Sequence, residues 1–328
     1  MEVHIQGDTL VVQPDGKLAG QPLCTLLTDT LHLPRGFVRT LFHNGRVYVG
    51  SRRAAPSDAC GNTKIRLLGG IVESYGVEGW QSAPVADVLY ADEHLFVVNK
   101  PSGVLVYPGT PMDVDTLGHR VAHWLALQGI ERKIRHVHRL DVGTSGCLLY
   151  AGHAYSARVF DQQLRVHQIR RTYVACVHGR MPQKRGRIAE NIGRDRHHAG
   201  RYRVARNGKT AITDYQVVDE RNLDGRWYTL VICRLETGRT HQIRVHLSAL
   251  GCPIVGDTLY GGGTSPDGRV WPRGFALHAI RLTFIHPYTR ERLRAIAPFP
   301  ESWHEMLPDY ADVLQESLVG NLFTDVHA

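Results

Sequence analysis

A chain of 328 residues with 43% apolar and 21% charged residues is long enough for one large folded unit and a smaller one. No apolar run nears the ~18 residues of a membrane span, and the start Met1-Glu2-Val3-His4 lacks the basic-then-apolar pattern of an export signal. The six dispersed cysteines, without a C-x2-C pair, fit buried thiols in a reducing cytoplasm, while the net charge of +8 and pI near 9.3 favour a polyanionic partner.

Residues 1–70 read as a small separate α+β unit. Pro22-Leu23-Cys24-Thr25-Leu26-Leu27 and Leu31 have helical spacing, and Pro34 to Phe42 gives a second short helix bearing Arg35 and Arg39. Asn44-Gly45 reads as a turn into a strand, and Lys64 to Leu68 as another strand. Two helices, a turn and strands, with arginines on the second helix, resemble an S4-type RNA-binding module. Residues 71–85, broken by glycine, serine and proline, read as a linker.

The larger unit, 86–300, opens with the hairpin pattern Asp87–Ala91 and Leu95–Lys100, ending at Pro101. Asp115 is placed to cap a helix through Leu117, Val121 and Leu125, closed by Gly129. The run Cys147-Leu148-Leu149-Tyr150-Ala151 reads as a buried strand, Ala154 to Arg165 as a helix, and Thr172 to Val177 as a strand. Ala211 to Val218 and Trp227 to Leu235 alternate like strands, and Thr240 is placed to cap a helix ending at Gly251. Phe275 to Phe284, a turn at Pro287-Tyr288-Thr289-Arg290, and Arg292 to Ala297 form a last hairpin. Strands outnumber helices and hairpins dominate, which predicts an α+β fold on a mainly antiparallel sheet. Residues 301–328 form a tail with room for a short helix.

Chemistry concentrates in four segments. His138-Arg139-Leu140-Asp141, followed by Thr144-Ser145-Gly146, sets an arginine and a carboxylate in a loop just before the buried strand. Strand-end loops are common mounts for catalytic side chains, and a shielded acid needs a cationic or hydrogen-bonding partner. Asn99-Lys100-Pro101-Ser102-Gly103 offers a cation on a stiff turn, and Arg171-Thr172-Tyr173-Val174-Ala175 sets an aromatic beside arginine on a strand. Thr237 to His246 packs arginine, histidine and glutamine into the start of a helix, with Arg244 close to the apolar face of Ile243 and Leu247. An arginine so placed either snorkels or is fixed to an acid, and Asp141 has the most comparable setting. Between Arg165 and Arg206 twelve basic residues face only Glu190 and Asp195, a density suited to phosphates.

HRLD-x2-TSG, NKPSG, RTYVA and TGRTHQIRVH, followed by Pro253-Ile254-Val255-Gly256-Asp257 and Tyr260-Gly261, resemble the RluA family of RNA pseudouridine synthases over about residues 86–300. The resemblance implies the pseudouridine synthase fold and conversion of specific uridines in structured RNA to pseudouridine, with neither cofactor nor metal. It implies that Asp141 is the essential aspartate, attacking C1′ or removing the 2′ proton; the residues leave both routes open. It further implies that Arg244 pairs with Asp141, that Tyr173 packs against the target base and assists the late proton removal from C5, and that Arg139 fills the space left by a flipped nucleotide. Lys100 is assigned to structure or to phosphate contact rather than to catalysis, and His138 to support of the loop. Arg35, Arg39 and Arg171 join Arg139 and Lys100 as candidate RNA contacts. The expected partner is structured RNA, ribosomal ahead of transfer RNA, bound by a monomeric cytoplasmic chain without a membrane.

Other readings stay in view. A transfer-RNA pseudouridine synthase shares the same chemistry. A non-catalytic RNA-binding factor for ribosome assembly explains the charge but leaves the Asp141–Arg244 pairing unmotivated. A hydrolytic glycosylase needs a second carboxylate, for which Asp257 is the available residue. A kinase reading of "HRLD" fails for want of a glycine-rich phosphate loop, and the 19 histidines lack zinc-ligand spacing.

Overall fold

The computed structural model describes residues 1–310 other than Asp267 and Arg273, together with Val313. The remainder of the expected tail lies outside the described residues. The chain begins with an element that the sequence reading leaves out, a hairpin of β1 (Glu2–Gln6) and β2 (Thr9–Gln13). With β3 (Val47–Val49), β4 (Arg52–Arg53) and β5 (Ile65–Leu68) it forms a five-stranded sheet in the order β1-β2-β5-β3-β4. The expected first helix is α-helical only over α1 (Leu23–Thr25) and widens to π-type geometry over Leu26–Thr30. Leu23, Leu26 and Leu27 still bury completely, as the spacing requires, beside Val38 and Leu41 of α2 (Arg35–His43). This core extends onto the larger unit, because Tyr155, Val159 and Tyr288 belong to it and the Tyr155 hydroxyl donates to the Leu68 carbonyl at 3.1 Å.

The larger unit is built on one ten-stranded sheet. Its strands are β6 (Asp87–Ala91), β7 (Leu95–Lys100), β8 (Arg135–His136), β9 (Ser145–Ala151), β10 (Arg170–His178), β11 (Arg185–Ile188), β14 (Thr213–Leu223), β15 (Arg226–Leu235), β16 (Leu277–Ile285) and β17 (Arg292–Ile296). A separate small pair, β12 (Ile192–Arg194) and β13 (Tyr202–Val204), lies in the arginine-rich segment. The main path runs β11-β14-β15-β10-β16-β9-β7-β6, antiparallel throughout except where β16 runs parallel to β9. The fold is therefore α+β on a mainly antiparallel mixed sheet. All seven residues of β9 are buried, Leu148 and Tyr150 in one core and Cys147, Leu149 and Ala151 in another. A strand covered on both faces reads as a continuous apolar run, which is why this one shows no alternation.

Two helix starts differ from the sequence reading. The cap of α3 (Leu117–Leu127) is Thr116, not Asp115: the Thr116 hydroxyl accepts from the His119 amide, and the His119 ring accepts from the Thr116 amide. Asp115 lies one residue too early and instead grips Arg120 at 2.7 Å with both oxygens. On α5 (Gln242–Ala249) the cap position belongs to His241, in the left-handed region at φ 57°, rather than to Thr240. The Gln242 side chain, accepting from the Arg239 amide at 2.9 Å, supplies the polar contact there. The segment 71–85 lies against the larger unit, with the Tyr75 hydroxyl donating to the Ile130 carbonyl and Tyr75 edge-on to Trp80. The tail contributes a short α6 (Glu301–Met306), whose Trp303 is buried. Among the described residues no helix is long and apolar enough to cross a membrane.

Candidate active site

The strand order brings distant segments together. Asp141 sits in the loop entering β9; β16 lies next to β9, and β10, which carries Tyr173, lies next to β16. The close approach of β9 and β16 requires Gly146, at φ 108°, since a Cβ there would stand 2.3 Å from the Ala279 carbonyl oxygen. Opposite Tyr173 the β10–β16 register shifts between Thr172 and Val174, a bulge of the kind that re-aims a side chain at a site.

Two carbonyls, of Val142 and Gly143, fix the path of the Asp141 loop. The Lys100 ammonium donates to the Val142 carbonyl and to the Pro101 carbonyl, both at 2.9 Å. The Gly103 amide also donates to the Val142 carbonyl, and the Ser102 hydroxyl donates to that of Gly143 at 2.8 Å. The NKPSG segment is thus a clamp on the loop. Within the loop, the Thr144 amide donates to the Asp141 carbonyl at 3.1 Å.

Arg244 reaches this loop from α5. Its Nη1 donates to Asp141 Oδ2 at 3.3 Å, while Nε and Nη2 donate to the two oxygens of Asp257 at 2.7 and 2.9 Å. Phe275 and Tyr260 flank the guanidinium, with ring centroids 4.4 and 4.8 Å away. Burial opposes its charge, but the hydrogen bonds and charge of Asp257, with those of Asp141, outweigh this and raise its pKa. The Asp257 side chain is 1% exposed and that of Asp141 18%, so only Asp141 keeps an open side.

That open side faces a cavity of about 590 Å³ lined by His138, Arg139, Asp141, Arg171, Tyr173 and Arg244, among others. Tyr173 is nearly enclosed, and burial pushes its phenol up to about 12, with Asp141 adding to the rise and Arg171 opposing it. It presents a neutral ring at neutral pH. His138 is buried and held well down, to about 3, mainly by desolvation and next by Arg171. Its Nε2 accepts from the Leu149 amide at 3.3 Å, so it ties the loop to β9 and carries no charge. A cavity of nucleoside size, holding one carboxylate paired to a buried arginine and one neutral aromatic, can orient a base and set a carboxylate oxygen beside its sugar.

A family model described as RNA pseudouridylate synthase matches residues 94–249. A Bacillus subtilis protein described as uncharacterized RNA pseudouridine synthase YhcT is 42% identical over 224 residues, covering 68% of this chain and 72% of that protein. The ribosomal large subunit pseudouridine synthase D of Xylella fastidiosa is 38% identical over 230 residues, covering 67% of this chain and 68% of its own. The solved structure of human RNA Pseudouridylate Synthase Domain Containing 1 superimposes with a TM-score of 0.56 at 27% identity, over 72% of this chain and 95% of that one. The chain belongs to the RNA pseudouridine synthase family.

In this pseudouridine synthase the other expected residues lie in three settings. Arg139 is exposed at the cavity rim, where its Nη1 donates to the Tyr107 hydroxyl at 3.0 Å, and Tyr107 in turn stacks on His136 with centroids 4.9 Å apart. Arg171 lines the cavity itself. Arg35 and Arg39 are exposed on α2 and do not line it. The assignment of Lys100 to RNA contact is corrected: its side chain is fully buried and spent on the loop carbonyls, with burial pressing its pKa down to about 7 despite Asp141 nearby.

Of the helix motif only Arg244 reaches Asp141. The Gln242 amide group donates to the Ile212 carbonyl and the Thr213 hydroxyl, and His246 bonds the same hydroxyl and the Glu190 carbonyl, so both fasten α5 to the sheet. Asp257 and Tyr260, quoted in the sequence motif without this role, and Phe275 are the residues whose place around Arg244 sequence reasoning missed. As the bidentate partner of Arg244, outside the cavity lining, Asp257 does not serve as a second carboxylate across a scissile bond.

Proposed function

We propose that this pseudouridine synthase isomerises uridines in ribosomal RNA and that Asp141 carries the chemistry. The observation that supports this most directly is the placement of Asp141: its carboxylate is held at 3.3 Å by an arginine already fixed to a buried acid, and it faces a cavity that can take a flipped nucleoside. Such a carboxylate is held in one orientation by a fixed cation at the edge of an enclosed site. From there it serves either as nucleophile at C1′, later displaced by C5, or as base at the 2′ proton, which it later returns. Either route breaks the C1′–N1 bond, the freed uracil turns, C5 joins C1′, and C5 gives up its proton while N1 gains one. Tyr173 packs against the base with its phenol neutral before the reaction. Relatives named ribosomal large subunit pseudouridine synthase D favour ribosomal RNA as the substrate.

The N-terminal unit, read as S4-like, adds a second RNA-contacting surface through Arg35 and Arg39. Arg194, Arg196, Arg203 and Arg206 form another: all four are exposed, and among the described residues none makes an ion pair, whereas Arg180, Lys184 and Arg187 are paired to Glu220, Asp214 and Glu236. The test is pseudouridine mapping in RNA from cells with the wild-type chain, with none, and with Asp141→Asn. The expected result is loss of particular ribosomal sites in the last two, with RNA affinity of the variant within about a factor of ten of wild type, since phosphates supply most of it. Full activity of Asp141→Asn would sink the assignment, and lost sites in transfer RNA alone would replace the substrate.

A further inference from the structure

A second cavity, of about 380 Å³, adjoins the first and shares Arg171, His167, Leu235 and Glu236 with it. Its floor is a cross-strand row. Thr172 on β10 lies opposite Arg281 of β16 on one side and Arg234 of β15 on the other; Arg234 lies opposite Asp214 of β14, and Asp214 opposite Arg187 of β11. Residues in register across strands share one face and stand about 4.8 Å apart. The short, buried Thr172 therefore leaves a dip between two arginines, and Arg170 and Arg171 complete its lining.

Both acids that line this dip are engaged by an arginine outside its lining. Arg187 spans both carboxylates, with Nη1 at 3.2 Å from Asp214 and both Nη atoms at 2.6 Å from Glu236. Arg234 makes no ion pair among the described residues, and the buried Arg171 Nε has no hydrogen-bond partner there. A concave site between guanidinium groups suits a tetrahedral oxyanion, which two arginine forks can grip with paired N–H donors.

We propose that this second cavity holds an RNA phosphate next to the target uridine, the strand passing over Arg171 as it leaves the Asp141 cavity. The proposal rests on the reading of this chain as an enzyme acting on RNA, and it assigns Arg234 and Arg170 as phosphate-gripping residues for that substrate. Their task is to tether the strand outside the Asp141 cavity, which contributes affinity rather than the chemical step.

The experiment uses the full chain and a structured RNA containing a mapped site. Arg234→Gln should raise the half-saturating RNA concentration roughly five- to ten-fold, leave the single-turnover rate at saturating RNA unchanged, and flatten the slope of log affinity against log salt by about 0.7–0.9. Arg234→Lys should recover part of the affinity. A neutral methylphosphonate at one linkage beside the target should weaken wild type and have little further effect on Arg234→Gln, as groups in direct contact require. An unchanged half-saturation and slope overturn the proposal. So does a fall in the saturated rate with an unchanged slope. Tight binding of inorganic phosphate that Arg234→Gln abolishes, with RNA affinity intact, overturns it in favour of a free anion. Pseudouridine formed at saturating RNA by every variant keeps the enzymatic reading apart from this one.

Discussion

Arg244 gives Asp257 two short hydrogen bonds, at 2.7 and 2.9 Å, and gives Asp141 one longer bond at 3.3 Å. The first pair fixes the guanidinium plane; the third contact is what remains for the carboxylate at the cavity. This division explains how Asp141 can be neutralised and oriented without being locked. Asp257→Asn should therefore damage the site from outside it. An amide cannot accept from both guanidinium nitrogens, so a buried cation loses its enclosed partner, at a cost of about 3–5 kcal/mol in stability. The freed guanidinium shifts relative to Asp141, and a displacement of about 1 Å is enough to lower the saturated rate roughly a hundred-fold. Urea melts and single-turnover assays together check this, and a variant with native rate and stability would refute it.

Tyr173 makes a sharper case about protons. With its phenol at about 12, mainly through burial, it carries no charge between pH 6 and 9. Tyr173→Phe, which keeps the ring, should lose less than ten-fold in rate, while Tyr173→Ala should lose far more. The pH dependence of wild type and Tyr173→Phe should coincide over that range. A limb present in wild type and absent in Tyr173→Phe would instead show the hydroxyl moving a proton.

Gly146 tests the strand arrangement itself. Its positive φ and the 2.3 Å approach of the Ala279 carbonyl mean that any Cβ must push β9 and β16 apart. Gly146→Ala should cost about 3 kcal/mol, combining left-handed backbone strain with overpacking. Because the separation moves the Asp141 loop against β10, activity should fall even at temperatures where the variant is folded, as circular dichroism and rate measured in parallel can establish.

What the chain discloses before folding depends on how local the cause is. The β9 run, the α4 pattern from Ala154 to Arg165 and the Gly251 stop are set by neighbours in sequence, and all appear where the residues place them. Thr116 and His241 displace the expected caps because the choice between adjacent polar residues turns on backbone angles that the sequence does not display. The first hairpin and β11 to β13 carry mixed or arginine-rich faces, so the alternation that marks a strand is hidden. At the site, Asp141, Arg244 and Tyr173 line one cavity, the grouping that the family resemblance implies. Asp257 and the loop clamp stay hidden because their roles depend on tertiary contacts, with Lys100 meeting Val142 42 positions away.

Lys100 gives the last prediction, in the pH dependence of stability. Burial lowers its pKa from 10.5 to about 7 in the folded chain, against the weaker pull of Asp141. Above pH 7 the folded state has largely released this proton, while the unfolded chain holds it until its own pKa near 10.4. Since stability rises with pH wherever the unfolded state binds more protons, Lys100 makes the fold more stable as pH increases through that window, and least stable below it. The amine keeps its two bonds to the Pro101 and Val142 carbonyls in either form, so the loop clamp survives deprotonation. In Lys100→Met the titration and both bonds are gone. The difference in unfolding free energy between wild type and this variant should therefore widen from pH 7 to pH 9.5, and activity should be lower at every pH because the Val142 carbonyl of the Asp141 loop keeps only the Gly103 amide as donor. Denaturant melts at three pH values measure the first effect. A difference that stays flat or narrows with rising pH would mean that the buried lysine keeps its proton, and that the clamp is an ammonium throughout.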